Sequence, residues 1–228
     1  MNEVESMEDI QKRLDANIER QRKATADMRT GGIYASFKNA RLKIDGQEIP
    51  NNKAEIRVLA AIGERAYYPG PFDADKSQVP TCYALDSGQP HDEAKEAQAE
   101  NCADCAYNKW GTAVDSRGNP ARGKACREGA RVIFISANLP IKSAPMITAK
   151  IPVTSLKTVT NLTERCSSAG KLTGEFVTEL EVTEDKKSFF KVNMTLKNIT
   201  ADIDKLVLLN AQERAYQLAM QPYPQLED

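Results

Sequence analysis

Histidine and tryptophan are nearly missing from this chain: His91 and Trp110 are its only examples of either. A single histidine argues against histidine-based acid–base catalysis. No Walker phosphate loop, Gly-rich dinucleotide turn or G-x-S-x-G elbow occurs, so nucleotide hydrolysis, dinucleotide redox chemistry and serine hydrolysis lack their usual frames. No apolar run approaches the length of a membrane-spanning helix. The opening Met1-Asn2-Glu3-Val4-Glu5 is acidic rather than basic, so no targeting leader is expected. The expected setting is a soluble, cytoplasmic protein in which stable disulfides are disfavoured. Neither sign of charge is in excess: 31 Lys and Arg stand against 32 Asp and Glu, a net charge of −1 over 228 residues. Any nucleic-acid surface must therefore be local rather than global.

What is present is an ordered set of cysteines. Cys82, Cys102-Ala103-Asp104-Cys105 and Cys126 place a C-x-x-C knuckle between two single cysteines, 19 residues from the first and 20 from the last. Such a knuckle puts two thiolates on one metal, and the flanking pair can complete a tetrahedral Cys₄ site. Structural Zn²⁺ is the expected cofactor. The alternatives are a disulfide pair or inert buried thiols. A closed Cys₄ shell leaves no position for water, so it argues against hydrolysis at the metal and for a non-enzymatic role. Its formal charge of −2 calls for nearby cations, and Lys109, Lys124 and Arg127 lie in the flanks. His91 is a fifth candidate ligand, but a solvated loop position suits it better once four cysteines fill the shell. Cys166 lies on an apolar helical face and reads as a small core residue.

In chain order, residues 1–30 read as a helical arm. Ile10, Leu14 and Ile18 recur at four-residue spacing on an otherwise charged face, the pattern of a solvated helix docked by one edge. Gly31-Gly32 ends it. Ala40, Leu42 and Ile44 alternate with Arg41 and Lys43. A turn at Asp45-Gly46 follows, then a strand with Ile56, Arg57 and Val58 that runs on to Ile62, then a short strand with Tyr67 and Tyr68. Alternation places Arg41, Lys43 and Arg57 opposite the apolar residues, as a basic strip or as an ordinary wet sheet face.

Residues 73–130 read as a zinc-binding insertion whose charge reverses midway. Six acids oppose Lys95 between Asp86 and Asp104, and six bases oppose Asp115 and Glu128 between Lys109 and Arg131. Trp110 sits in the basic half, either stacking on a ligand or packing over the knuckle. Strands follow at Val132–Ile135 and Met146–Ile151. A helix capped by Thr154 or Ser155 carries Leu156, Val159 and Leu162 and stops at Gly170. A hairpin turns between Thr183 and Lys187. Residues 201–228 form a last helix, opened by Asp204, and a tail.

The expected fold is α+β and β-rich: an OB-like barrel over 31–200 with a zinc-stabilised loop insertion and flanking helices. The runs Arg65-Ala66-Tyr67-Tyr68-Pro69-Gly70-Pro71-Phe72-Asp73, Pro80-Thr81-Cys82-Tyr83-Ala84-Leu85, Cys102-Ala103-Asp104-Cys105, Asn108-Lys109-Trp110-Gly111 and Gly123-Lys124-Ala125-Cys126 together resemble a family of bacteriophage single-stranded-DNA-binding proteins. The resemblance is densest over 33–152. It implies an OB-like core, DNA binding in phage replication or recombination in the host cytoplasm, and Cys82, Cys102, Cys105 and Cys126 as zinc ligands. It supplies no list of DNA contacts.

Single-strand binding needs cations and aromatic platforms. Candidates for stacking are Trp110, Tyr67, Tyr68 and Phe72. Candidates for phosphates are Lys109, Arg122, Lys124, Arg41, Lys43 and Arg57. The tyrosines could equally serve the core. The competing class is a zinc-stabilised adaptor that binds a host or phage protein. A zinc nuclease fits least. Replication or recombination proteins are natural partners, self-association is left open, and no membrane partner is expected.

Overall fold

The computed structural model describes residues 11–13, 15–17, 32–69, 79–86, 88–115, 117–200 and 203–223. The chain divides into two units, residues 1–32 and 33–228. In the first, residues 11–13 and 15–17 are helical, and Gln11 Nε2 donates to Asp15 Oδ1 at 3.1 Å, one helical turn away. The Ile10, Leu14 and Ile18 stripe lies outside the described residues.

The second unit is α+β and β-rich, built on a strongly curled sheet that makes half a barrel. Its strands are β1 (Ile33–Ser36), β2 (Lys43–Ile44), β3 (Gln47–Glu48), β4 (Lys53–Tyr67), β5 (Cys82–Leu85), β8 (Cys126–Ser136), β9 (Ile147–Pro152), β10 (Phe176–Asp185) and β11 (Phe189–Ile199). Across the sheet the order is β11-β10-β4-β8-β9-β1-β2-β3, with β5 also paired to β4. β1 runs parallel to β9; the other pairings given for these strands are antiparallel. Within the cysteine segment, β6 (Ala113–Val114) and β7 (Pro120–Ala121) pair as a separate two-stranded antiparallel ribbon.

β4 organises the rest. The sequence reading divides it in two, but it is one strand of 15 residues. A bulge between Val58 and Ala60 shifts its register against β8. The extra residue interrupts the two-residue alternation, so the run from Val58 to Ile62 serves both faces of the sheet. Two cores result. On one face α1 (Leu156–Ser168) lays Val159 and Leu162 against Val58, Val132, Phe134, Leu180 and Val192. On the other, α2 (Lys205–Ala219) lays Leu208, Ala211, Ala215 and Ala219 against Leu59, Ile62, Ile133 and Ile135. The three alanines of α2 are fully buried, and their small side chains let the helix lie close on the sheet. Each large aliphatic side chain buried here contributes about 1.5–3 kcal/mol.

The helix ends follow their chemistry. Asp204 Oδ1 accepts from the backbone N–H of Leu206 and Val207, capping α2. Gly170, at φ +63, follows the end of α1, where a left-handed residue is needed. Ser155 precedes α1, but its hydroxyl accepts from Val192 N instead of capping the helix. Within the 201–228 segment, α2 packs on the sheet of the same unit. Among the described residues no helix is long and apolar enough to cross a membrane.

Candidate functional site

The C-terminal end of β4 carries two different surfaces. Tyr67 is the register partner of Cys82 on β5 and also of Cys126 on β8. Directly paired residues point to one face, so the two outer cysteines flank one tyrosine although 43 residues separate them. The Cys102–Cys105 loop closes over them. Cys102 N donates to Gly88 O at 2.7 Å, and Asn108 Nδ2 donates to Cys102 O at 2.7 Å. Lys124 Nζ holds Asn108 Oδ1 at 3.1 Å and Glu128 Oε1 at 2.9 Å.

All four cysteines are buried free thiols, and all four line one cavity of about 20 Å³. That is room for a single water-sized particle. Burial, reinforced by the proximity of Cys102, Cys105 and Cys82, pushes the Cys126 thiol up to about 12. Burial likewise raises Cys82. Arg65 also lines the cavity and opposes the shift at Cys126, while Lys109, Lys124 and Arg127, the cations expected in the flanks, are not among the lining residues. Donor chemistry and room suit one soft divalent ion. Yet among the described residues no three His, Cys, Asp or Glu side chains form a group that could hold a metal as they lie. The thiols converge without closing.

Around the cavity, Tyr67 stacks on Tyr107 with centroids 4.2 Å apart. Burial, with the hydroxyl of Tyr107 second, pushes Tyr67 up to about 12. His91 stacks on Tyr83 at 5.0 Å and is not among the residues lining the cavity.

The basic loop stands on the β6–β7 ribbon. Gly111 and Gly118 both have positive φ, and Gly111 N donates to Gly123 O at 3.0 Å. Trp110 is 77% exposed, so it does not pack over the knuckle. Lys109 and Arg122 are exposed beside it, whereas Lys124 is half-buried in its contacts to Asn108 and Glu128.

The expected basic strip does not assemble. Arg57 is buried, and it donates to the carbonyls of Gly174 and Glu175 and to Thr200 Oγ1. It falls on the α2 side of the sheet just before the bulge, where the 174–175 turn covers it. Arg41 is exposed in a turn, not on a strand, and Lys43 pairs with Glu48 at 3.0 Å. Phe72 lies outside the described residues.

The residues next to the cysteine face alternate onto another surface. Ala66, Tyr68 and Arg127 line a groove of about 490 Å³, where Tyr34, Lys38, Lys150 and Phe190 join them. Tyr34 is 53% exposed. The Arg127 guanidinium lies 5.8 Å over the Tyr68 ring. Lys150 reaches back so that its Nζ meets the Tyr223 hydroxyl at 2.7 Å and lies 3.9 Å over that ring. Burial of this ammonium end lowers its pKa, although the residue as a whole is exposed. Gly129 brings the β8 backbone so close to β9 that an added Cβ would stand 2.9 Å from Ile151 O. The groove's Tyr34, Lys38, Lys150 and Phe190 were missed in the sequence. The available signals are that Lys150 is the polar position between Ala149 and Ile151, and that Phe190 alternates with Val192, Met194 and Leu196. Nothing local says that they meet.

Compared with known proteins, the chain matches no family model, no curated protein and no solved structure. The likeness to phage single-strand binders therefore rests on the quoted residues alone.

Proposed function

We propose that this protein is a non-catalytic single-stranded-DNA-binding protein that protects or organises the strand during phage replication or recombination in the host cytoplasm. The observation that carries the reading is the 490 Å³ groove, where Tyr34, Tyr68 and Phe190 stand among Lys38, Arg127 and Lys150. Aromatic faces accept any base, and the cations track the phosphates. Trp110, with Lys109 and Arg122, is an outlying contact on the same account. We read the half-barrel sheet as an open OB-like barrel. We read the four convergent cysteines as a structural Zn²⁺ site that braces the ends of β4, β5 and β8 behind the groove. Bound zinc would hold these thiolates and supply no open coordination position. Arg65 would offset part of their negative charge.

The test is fluorescence anisotropy with labelled oligo-dT across a salt series, with duplex DNA and RNA of equal length beside it. Three phosphate contacts imply a slope of log K on log[salt] near −2, or about a sixteen-fold loss of affinity between 50 and 200 mM salt. Tyr68→Ala should weaken binding about tenfold, the worth of one stacked base. Binding that is indifferent to salt, or no binding to any strand, overturns the reading.

One observation favours the adaptor reading. Leu206, Leu209 and Tyr216 of α2 are all exposed, at helical spacing. If oligonucleotides fail to bind, a nuclease-resistant pull-down that depends on these three residues would establish it.

A further inference from the structure

The β10–β11 hairpin ends in a conformation its sequence does not suit. Asp185 pairs with Phe189 across a turn of Lys186, Lys187 and Ser188. Phe189 has φ +65, the left-handed region that glycine and asparagine occupy at low cost and bulky aromatics avoid. Its side chain recovers nothing by packing, since the residue is 88% exposed. Nor is the turn loose. The Asp185 carboxylate accepts from Lys187 N at 3.0 Å and from Ser188 N and Oγ, both at 2.8 Å, and pairs with Lys191 at 3.1 Å. A strained backbone, held firmly and spent on exposing an aromatic ring, is an outlier that points to a use for that ring. The neighbouring charge shows which use. Lys186 and Lys187 are exposed at the tip, and the next residue, Phe190, lines the groove and packs against Phe37 with ring centroids 6.3 Å apart.

We propose that Phe189 is a second base-stacking site, in which the hairpin tip takes a nucleobase of the strand leaving the groove while Lys186 and Lys187 hold its phosphates. The assignment rests on the groove being the strand-binding surface. It adds that the occupied length extends past the groove onto the tip.

The decisive variant is Phe189→Gly, because strain and stacking move in opposite directions. Glycine relieves the left-handed backbone, so the variant should melt at a higher temperature than the wild type. It should bind an oligonucleotide of about 4 nucleotides, enough for the groove alone, as the wild type does. It should bind one of about 12 nucleotides about tenfold more weakly. Phe189→Tyr should restore the long-strand affinity and Phe189→Leu should not. Equal affinity of Phe189→Gly and wild type for the longer strand overturns the proposal. So does binding to vesicles of anionic phospholipid that Phe189→Gly abolishes while leaving strand affinity unchanged, for then the tip is a lipid contact. If the wild type binds neither length, the groove reading falls and takes this one with it; if it binds both and only the tip variant is silent, the groove reading survives alone.

Discussion

Replacing Arg131 should unfold the anchor beneath the groove. Arg131 and Glu64 pair at 2.7 Å, with both side chains only 7% exposed. Arg131 Nη1 also donates to Ala219 O at 2.8 Å and Gln221 O at 2.6 Å, which ties down the last turn of α2 and the chain beyond it. The Tyr223 hydroxyl donates to the same Glu64 oxygen at 2.9 Å. In Arg131→Met the carboxylate of Glu64 is left buried without its cation, and carbonyls at the end of α2 lose their donor. Breaking one side of a buried pair costs about 3–5 kcal/mol. Glu64→Leu combined with Arg131→Met removes the unpaired carboxylate and should recover that part of the loss, while the Ala219 and Gln221 carbonyls stay without their donor and the Tyr223 hydroxyl without its acceptor. Urea unfolding followed by far-ultraviolet circular dichroism at neutral pH measures both variants and Glu64→Leu alone. Trp110 is too exposed to report on this core. The reasoning fails if Arg131→Met lies within about 1 kcal/mol of wild type, or if the double variant is as unstable as the sum of the singles.

Three other outcomes are expected. The Thr178 hydroxyl is fully buried on β10 with no hydrogen-bond partner among the described residues, so Thr178→Val should stabilise the protein by about 1 kcal/mol, read as a higher urea midpoint at unchanged slope. Asp185 is held well below the usual carboxylate range, first by the Ser188 hydroxyl, then by the Ser188 N–H, Lys191 and the Lys187 N–H. A depressed native pKa stabilises above the unfolded value near 4 and loses that effect as pH falls through the native value. The melting temperature of Asp185→Asn should therefore lie below wild type at pH 7, and the gap should close as pH falls below about 4; a gap constant down to pH 2 would contradict the turn chemistry. For the cysteines, metal analysis of purified wild type should find about one zinc per chain, and Cys105→Ser should lose it, with faster amide exchange between residues 88 and 125; wild type without metal would leave the four thiols as an ordinary buried cluster.

Sequence alone carried what depends on neighbours along the chain. Asp204 caps α2, Gly170 follows α1, Asp45-Gly46 turns β2 into β3 and the last hairpin pairs as its alternation implies, because capping, turn chemistry and periodicity act within a few residues. The order of the cysteines was equally legible as a set of donors. The tertiary structure decided what depends on strands far apart. The 174–175 turn covers the face of β4 that carries Arg57, which buries it and leaves no basic strip with Arg41 and Lys43. Pairing on both sides of Tyr67 brings Cys82 to Cys126, and the same alternation sends Tyr68 and Arg127 to the groove instead. Periodicity says which residues of one strand share a face. Only the register between strands says which residues of different strands share a site, and that register is set by the whole packed sheet.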